Sequence, residues 1–125
     1  MFTLSEITHV SAVTLKISDM RKSVAFYRDI LGLKVKYGGE SSSFVSFRIG
    51  NSYLNLERSD SVATGWGRIV FYCDNVDEIY SKLKQKGFSP PKPENASWGE
   101  RFFHIKDPDG HELSIARPLQ GELVR

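Results

Sequence analysis

The chain has 125 residues and a single cysteine, Cys73. One thiol excludes an intramolecular disulfide and any metal site built on several cysteines. Charge of one sign is also scarce: 17 Lys plus Arg stand against 15 Asp plus Glu, a net +2. That excess is too small to demand nucleic acid or an anionic membrane as partner. No run approaches the roughly 20 apolar residues that a membrane helix needs. Met1 to Val10 has no basic start followed by an apolar stretch, so no secretory signal is read and a cytoplasmic location is expected. Low-complexity sequence is limited to Ser41-Ser42-Ser43, and no linker separates two domains. What remains is ordinary globular material, 40% apolar and 26% charged, read as a single domain over 1–125. A chain of this length can bury roughly two thirds of its unfolded surface.

Apolar periodicity orders the chain. Val13, Leu15 and Ile17 alternate with Thr14, Lys16 and Ser18, the period of a strand with one apolar face. Asp19, or Ser18 before it, can cap a helix carried by Val24, Phe26-Tyr27, Ile30 and Leu31 and ended by Gly32. From Leu33 the pattern is extended again. Phe44–Ile49 and Tyr53–Glu57 read as a hairpin around Gly50-Asn51-Ser52. The order then repeats. Arg68–Cys73 is a strand, Asp74 onward a helix through Ile79 and Leu83 to Gly87, and Pro90-Pro91-Lys92-Pro93 cannot be helical. Phe102–Ile105 and Glu112–Ala116 flank the turn Asp107-Pro108-Asp109-Gly110. The first strands, at Ala12 and Arg68, match at a shift of 56 residues (68 − 12). The expected fold is α+β: two tandem βαβββ modules, about 7–60 and 64–118, around a cavity. Val13, Leu15, Ile17 and Ile69, Phe71, Cys73 should pack under the helices. The opposite parity, Ala12, Thr14, Lys16 and Arg68, Val70, Tyr72, should face the cavity.

Two segments carry a specific likeness. Val13–Met20 with Ser23, Phe26-Tyr27 and Leu31-Gly32-Leu33, and Trp98–Phe103 with Asp107-Pro108-Asp109-Gly110-His111-Glu112-Leu113, resemble the opening and closing modules of the glyoxalase, bleomycin-resistance and extradiol dioxygenase (vicinal oxygen chelate) superfamily. The likeness covers about residues 7 to 118. It implies curled sheets that each form half of a cavity. It also implies four metal-ligand positions in metal-dependent members, which fall here on Ala12, Asn55, Arg68 and Ser114. Alanine has no donor, arginine is a permanent cation, and asparagine and serine are weak neutral ligands. No metal and no other cofactor is therefore expected. A divalent metal enters only through an atypical site, for which His104, Glu112 and Glu57 are the candidates. A register slip of two in the first hairpin would itself bring Glu57 to the second position.

Other residues carry the binding expectation. Arg68 can anchor an anionic or carbonyl-rich ligand, with Asn55 and Ser114 as polar contacts. Tyr53, Tyr72, Trp66, Trp98 and Phe102 offer flat walls for stacking, against the plainer reading of core packing. Trp98-Gly99-x-Arg101 also resembles the segment found in antibiotic-binding members. His104 and Glu112, on neighbouring strands, are the candidate acid–base pair. His111 reads as a surface residue, and Asp107 and Asp109 as turn formers bonding local amides. Cys73 reads as a small buried hydrophobe. The favoured function is metal-free binding of a small aromatic or antibiotic-like molecule by a homodimer. Two alternatives stand: a lyase- or dioxygenase-type enzyme with an atypical metal site or metal-free catalysis by His104 and Glu112, and a descendant that kept the fold and lost the site.

Overall fold

The computed structural model describes residues 4–119. Its order is β1 (Ala12–Ile17), α1 (Met20–Val24) running into a π-helical stretch (Ala25–Ile30), β2 (Lys34–Tyr37), β3 (Phe44–Ile49) and β4 (Ser52–Arg58). The second half repeats it: β5 (Arg68–Tyr72), α2 (Val76–Gln85), β6 (Glu94–Asn95), β7 (Glu100–Lys106) and β8 (Glu112–Pro118). Each half makes a four-stranded mixed sheet, β1-β4-β3-β2 and β5-β8-β7-β6. In each, the first strand pairs parallel with the last and the rest pair antiparallel. This is the expected α+β duplication. No helix among the described residues is long and apolar enough to cross a membrane.

The registers of the two sheets match. Ala12 lies opposite Tyr53 as Arg68 lies opposite Glu112, and Thr14 opposite Asn55 as Val70 opposite Ser114. Asn55 is thus the counterpart of Ser114, and the slip that would bring Glu57 there has not occurred.

Side-chain alternation does the rest. Leu15, Ile17, Val45, Phe47, Leu54 and Leu56 of the first sheet are buried against the helices. So are Phe103, Ile105, Leu113 and Ile115 of the second. The two halves meet here: Phe26 of the π-helical stretch packs edge-on against Phe88, just beyond the end of α2, with ring centroids 5.4 Å apart. One core therefore runs through both modules. Ile69, Phe71 and Cys73 line it as half-buried residues, and burial raises the Cys73 thiol pKa.

Asp19 caps α1, accepting from the Lys22 amide at 3.1 Å, and Asn75 caps α2, accepting from Glu78 at 3.1 Å. The first helix departs from a regular 3.6 period. It widens after Val24, where Leu31 N donates to Phe26 O at 3.0 Å. The wider turn lets the neighbours Phe26 and Tyr27 both point into the core. β6 is a two-residue strand that no apolar pattern announces. Gly38 opens the β2–β3 connection with φ +82°, and a Cβ there would run into the Phe44 carbonyl.

Three turn residues differ from expectation. Asp107 does bond local amides, from Asp109 at 3.0 Å and His111 at 2.8 Å. It also accepts the buried Tyr27 hydroxyl at 2.7 Å from the other module. Asp109 reaches across as well, accepting from Ser18 N at 3.1 Å and Ser18 Oγ at 2.6 Å. His111 is not a surface residue: it is only 2% exposed. Its Nε2 donates to the Lys16 carbonyl at 2.7 Å, which leaves Nδ1 to accept from Trp66 Nε1 at 3.4 Å. The turn is a clasp between modules.

Candidate functional site

Each sheet has an open face on the side away from the helices. On the second sheet the registers set three cross-strand rows. Arg68, Glu112 and Lys106 form the first row. Val70, Ser114 and His104 form the second, and Tyr72, Ala116 and Phe102 the third. Glu100 stands one step beyond Phe102 along β7, on the same face.

The first row is charged. Arg68 Nη2 stands 3.4 Å from Glu112 Oε1, with both side chains more than a third exposed. A pocket of about 370 Å³ opens here, lined by Arg68, His104, Lys106 and Glu112, with Pro90 and Pro91 as an apolar wall. The proline run before β6, legible in sequence only as non-helical, supplies that wall. In the second row His104 Nδ1 pairs with Ser114 Oγ at 2.7 Å.

The third row is aromatic. Trp98 packs on Phe102 with centroids 5.5 Å apart, and Phe102 packs on His104 at 5.0 Å. Glu100 is fully buried beneath this strip. Its Oε1 accepts from Trp98 Nε1 at 2.6 Å, and its Oε2 accepts from the Tyr72 hydroxyl. To reach Glu100, the Tyr72 side chain spans from β5 to β7 across the central strand β8. Ala116, the β8 residue in the row between Tyr72 and Phe102, is fully buried. Tyr72 and Trp98 nonetheless remain 43% and 42% exposed. The carboxyl group therefore fixes two exposed aromatic walls from below.

The structure thus gathers Arg68, His104, Glu112, Ser114, Tyr72, Trp98 and Phe102 on one face. It does not gather the other expected residues there. Tyr53 lies on β4, in a pocket of about 270 Å³ between the two sheets' edge strands. Asn55, also on β4, donates from Nδ2 to Thr14 Oγ1 at 3.2 Å. Trp66 is 55% exposed but sits beside His111 and Lys16 in a separate pocket of about 410 Å³. Within one chain Arg68 and Asn55 do not share a ligand site, because they belong to different sheets. His104 and Glu112 are diagonal neighbours, since Ser114 is the residue directly opposite His104. Lys106, whose parity matches that of Phe102 and His104, and Glu100 are the residues that were not named as site candidates from the sequence. Both continue the alternation 100, 102, 104, 106, and that signal would have found them.

These features define a duplicated βαβββ protein with an aromatic and cationic open face. The chain belongs to the Glyoxalase/Bleomycin resistance protein/Dioxygenase superfamily, whose family model matches residues 7–115. It is 27% identical over 123 residues to the uncharacterized protein YraH of Bacillus subtilis (strain 168), covering 86% of this chain and 96% of YraH. It is 27% identical over 119 residues to the metallothiol transferase FosB of Lysinibacillus sphaericus, covering 90% of this chain and 82% of FosB. Among solved structures, the lactoylglutathione lyase of Agrobacterium tumefaciens superposes with a TM-score of 0.74 at 23% identity, over 90% and 95% of the two chains. TnmS3, an antibiotic binding protein from Streptomyces sp. CB03234, gives 0.73 at 22%, over 92% and 99%. At these identities the structural likeness establishes the fold.

The donor set at the four implied ligand positions does not fit a metal. Ala12 ends in a methyl group, Arg68 brings a cation paired with Glu112, and Asn55 and Ser114 are engaged by Thr14 and His104. The atypical set is not assembled either: Glu57 stands on β4, away from His104 and Glu112. Among the described residues no group of three His, Cys, Asp or Glu side chains comes together to hold an ion.

Proposed function

We propose that the open face of the second sheet binds a small aromatic molecule without a metal. One observation carries this reading: the Trp98–Phe102–His104 strip, anchored by Glu100, runs into the pocket that holds Arg68. Fixed aromatic faces bind planar ligands by stacking, and preorganisation lowers the ordering cost. Proteins similar to this chain include, by name, a metallothiol transferase, FosB, and, in fold, an antibiotic binding protein, TnmS3. The donor set favours the second kind for this chain. Its two modules serve as one domain in a cytoplasmic protein, and two copies form a homodimer that covers free sheet edges.

Intrinsic fluorescence tests the binding reading. A panel of aromatic antibiotics and metabolites should include compounds that quench the wild type and the Trp66→Phe variant alike. The same compounds should leave Trp98→Phe unquenched. Quenching should survive a chelator, and purified protein incubated with zinc, nickel, iron or manganese should retain none stoichiometrically. Stoichiometric retention of one metal, or no quenching by any compound, overturns the reading. Light scattering should give about 28 kDa, twice the 14.2 kDa chain.

A further inference from the structure

We infer, on the basis of the binding reading above, that the ligand is a flat aromatic acid. Its ring lies along Trp98 and His104, with the buried Phe102 packed behind them, and its acid group is held by Arg68 and Lys106.

The open face is polar along its length. At one end the row Arg68, Glu112, Lys106 places a carboxylate between two cations, so the row carries a net +1. Glu112 approaches Arg68 through one nitrogen at 3.4 Å, a loose, single contact. A guanidinium has five N–H donors in a fork, so most of that fork remains to grip a carboxylate or phosphonate in two-point fashion. Lys106 adds an exposed point charge across the pocket. At the other end of β7 the acid Glu100 lies under the aromatics. An anionic head is thus attracted at one end and has an acid as its neighbour at the other.

The spacing suits one molecule. Successive rows on one face are two residues apart, roughly 7 Å at a strand rise of 3.4 Å per residue. The charged row is the next one after His104, and His104 is in ring contact with Phe102 at 5.0 Å. A ring over His104, beside Trp98, therefore leaves an acid substituent within one row of Arg68 and Lys106. The Pro90–Pro91 wall offers no amide donor and Ser89 beside it is neutral, so the positive charge in the pocket comes from Arg68 and Lys106.

Titration calorimetry with naphthalene-2-carboxylate and naphthalene-2-carboxamide tests this. The ring is shared, and only the charge differs. The acid should bind at least about tenfold more tightly than the amide at low salt. That preference should shrink as sodium chloride rises towards 0.5 M, because part of the attraction is screened. Arg68→Gln with Lys106→Gln should bring the acid-to-amide affinity ratio down to about one. The salt comparison uses the wild type, so the outcome does not depend on the variant folding. Equal binding of acid and amide, or tighter amide binding, overturns the assignment of an acid while ring binding on Trp98 stands. Binding of neither, with Trp98 fluorescence unmoved, overturns the assignment and counts against the aromatic-binding reading as well.

Discussion

Tyr27 is buried, and its hydroxyl donates to Asp107 at 2.7 Å. Burial first, and then the Asp107 charge, raise its pKa well above the ordinary value near 10. The neutral phenol is therefore the native form. Its contribution is fully present below pH about 10 and is lost as pH rises towards the folded value. Tyr27→Phe should cost about 1–3 kcal/mol at pH 7, the loss of a hydrogen bond to a charged acceptor. Urea unfolding from pH 9 to 11 should show the gap to wild type closing. A gap that stays constant would refute this account. Sequence reasoning placed Tyr27 in the helix but not its partner, because a contact 80 residues away leaves no local spacing. Lys106 and Glu100 were legible by alternation alone. His111 was not: a polar residue beside an Asp-Gly turn resembles any exposed turn residue until a second module covers it.

Among the elements, α2 shows how a helix is fastened to a sheet. Asp77 in its first turn accepts from Arg101 of β7 at 2.7 and 2.8 Å. That bidentate contact holds the Asp77 carboxyl below the usual range. The pair is close to the surface, so it contributes under about 1 kcal/mol. A depressed pKa contributes above pH about 4 and is lost as pH falls through the folded value. Asp77→Asn should thus be slightly less stable than wild type at pH 7, with the gap narrowing as pH falls below about 4, by urea unfolding across that range. The caps tell the same story: Asn75→Ala should cost roughly 1 kcal/mol, read as a lowered unfolding midpoint. Strands and caps were readable because alternation and capping chemistry are local. The π-helical widening and β6 were not. The first depends on how Phe26 and Tyr27 are received by Phe88 and Phe47, whose rings come from other elements. The second is two residues recruited by the β7 edge.

At the scale of the whole molecule, the duplication was visible in sequence and the joining of its halves was not. Asp107, Asp109 and His111 all reach the β1–α1 region of the first module, at Tyr27, Ser18 and Lys16. Removing one member should be felt across the chain. Asp107→Ala strands the buried Tyr27 hydroxyl and two amides, and should cost about 3 kcal/mol or more, measured as the unfolding midpoint in urea. The segment that joins β4 to β5 takes part through a side chain, Trp66 against His111 at 3.4 Å, and side chains rather than the peptide thread unite the halves. Cutting the gene there therefore need not destroy the protein. Two polypeptides, 1–62 and 63–125, produced together should find each other, co-elute as a pair and give back the spectrum of the intact chain. Either piece made by itself should precipitate, having a bare sheet and nothing to lay against it.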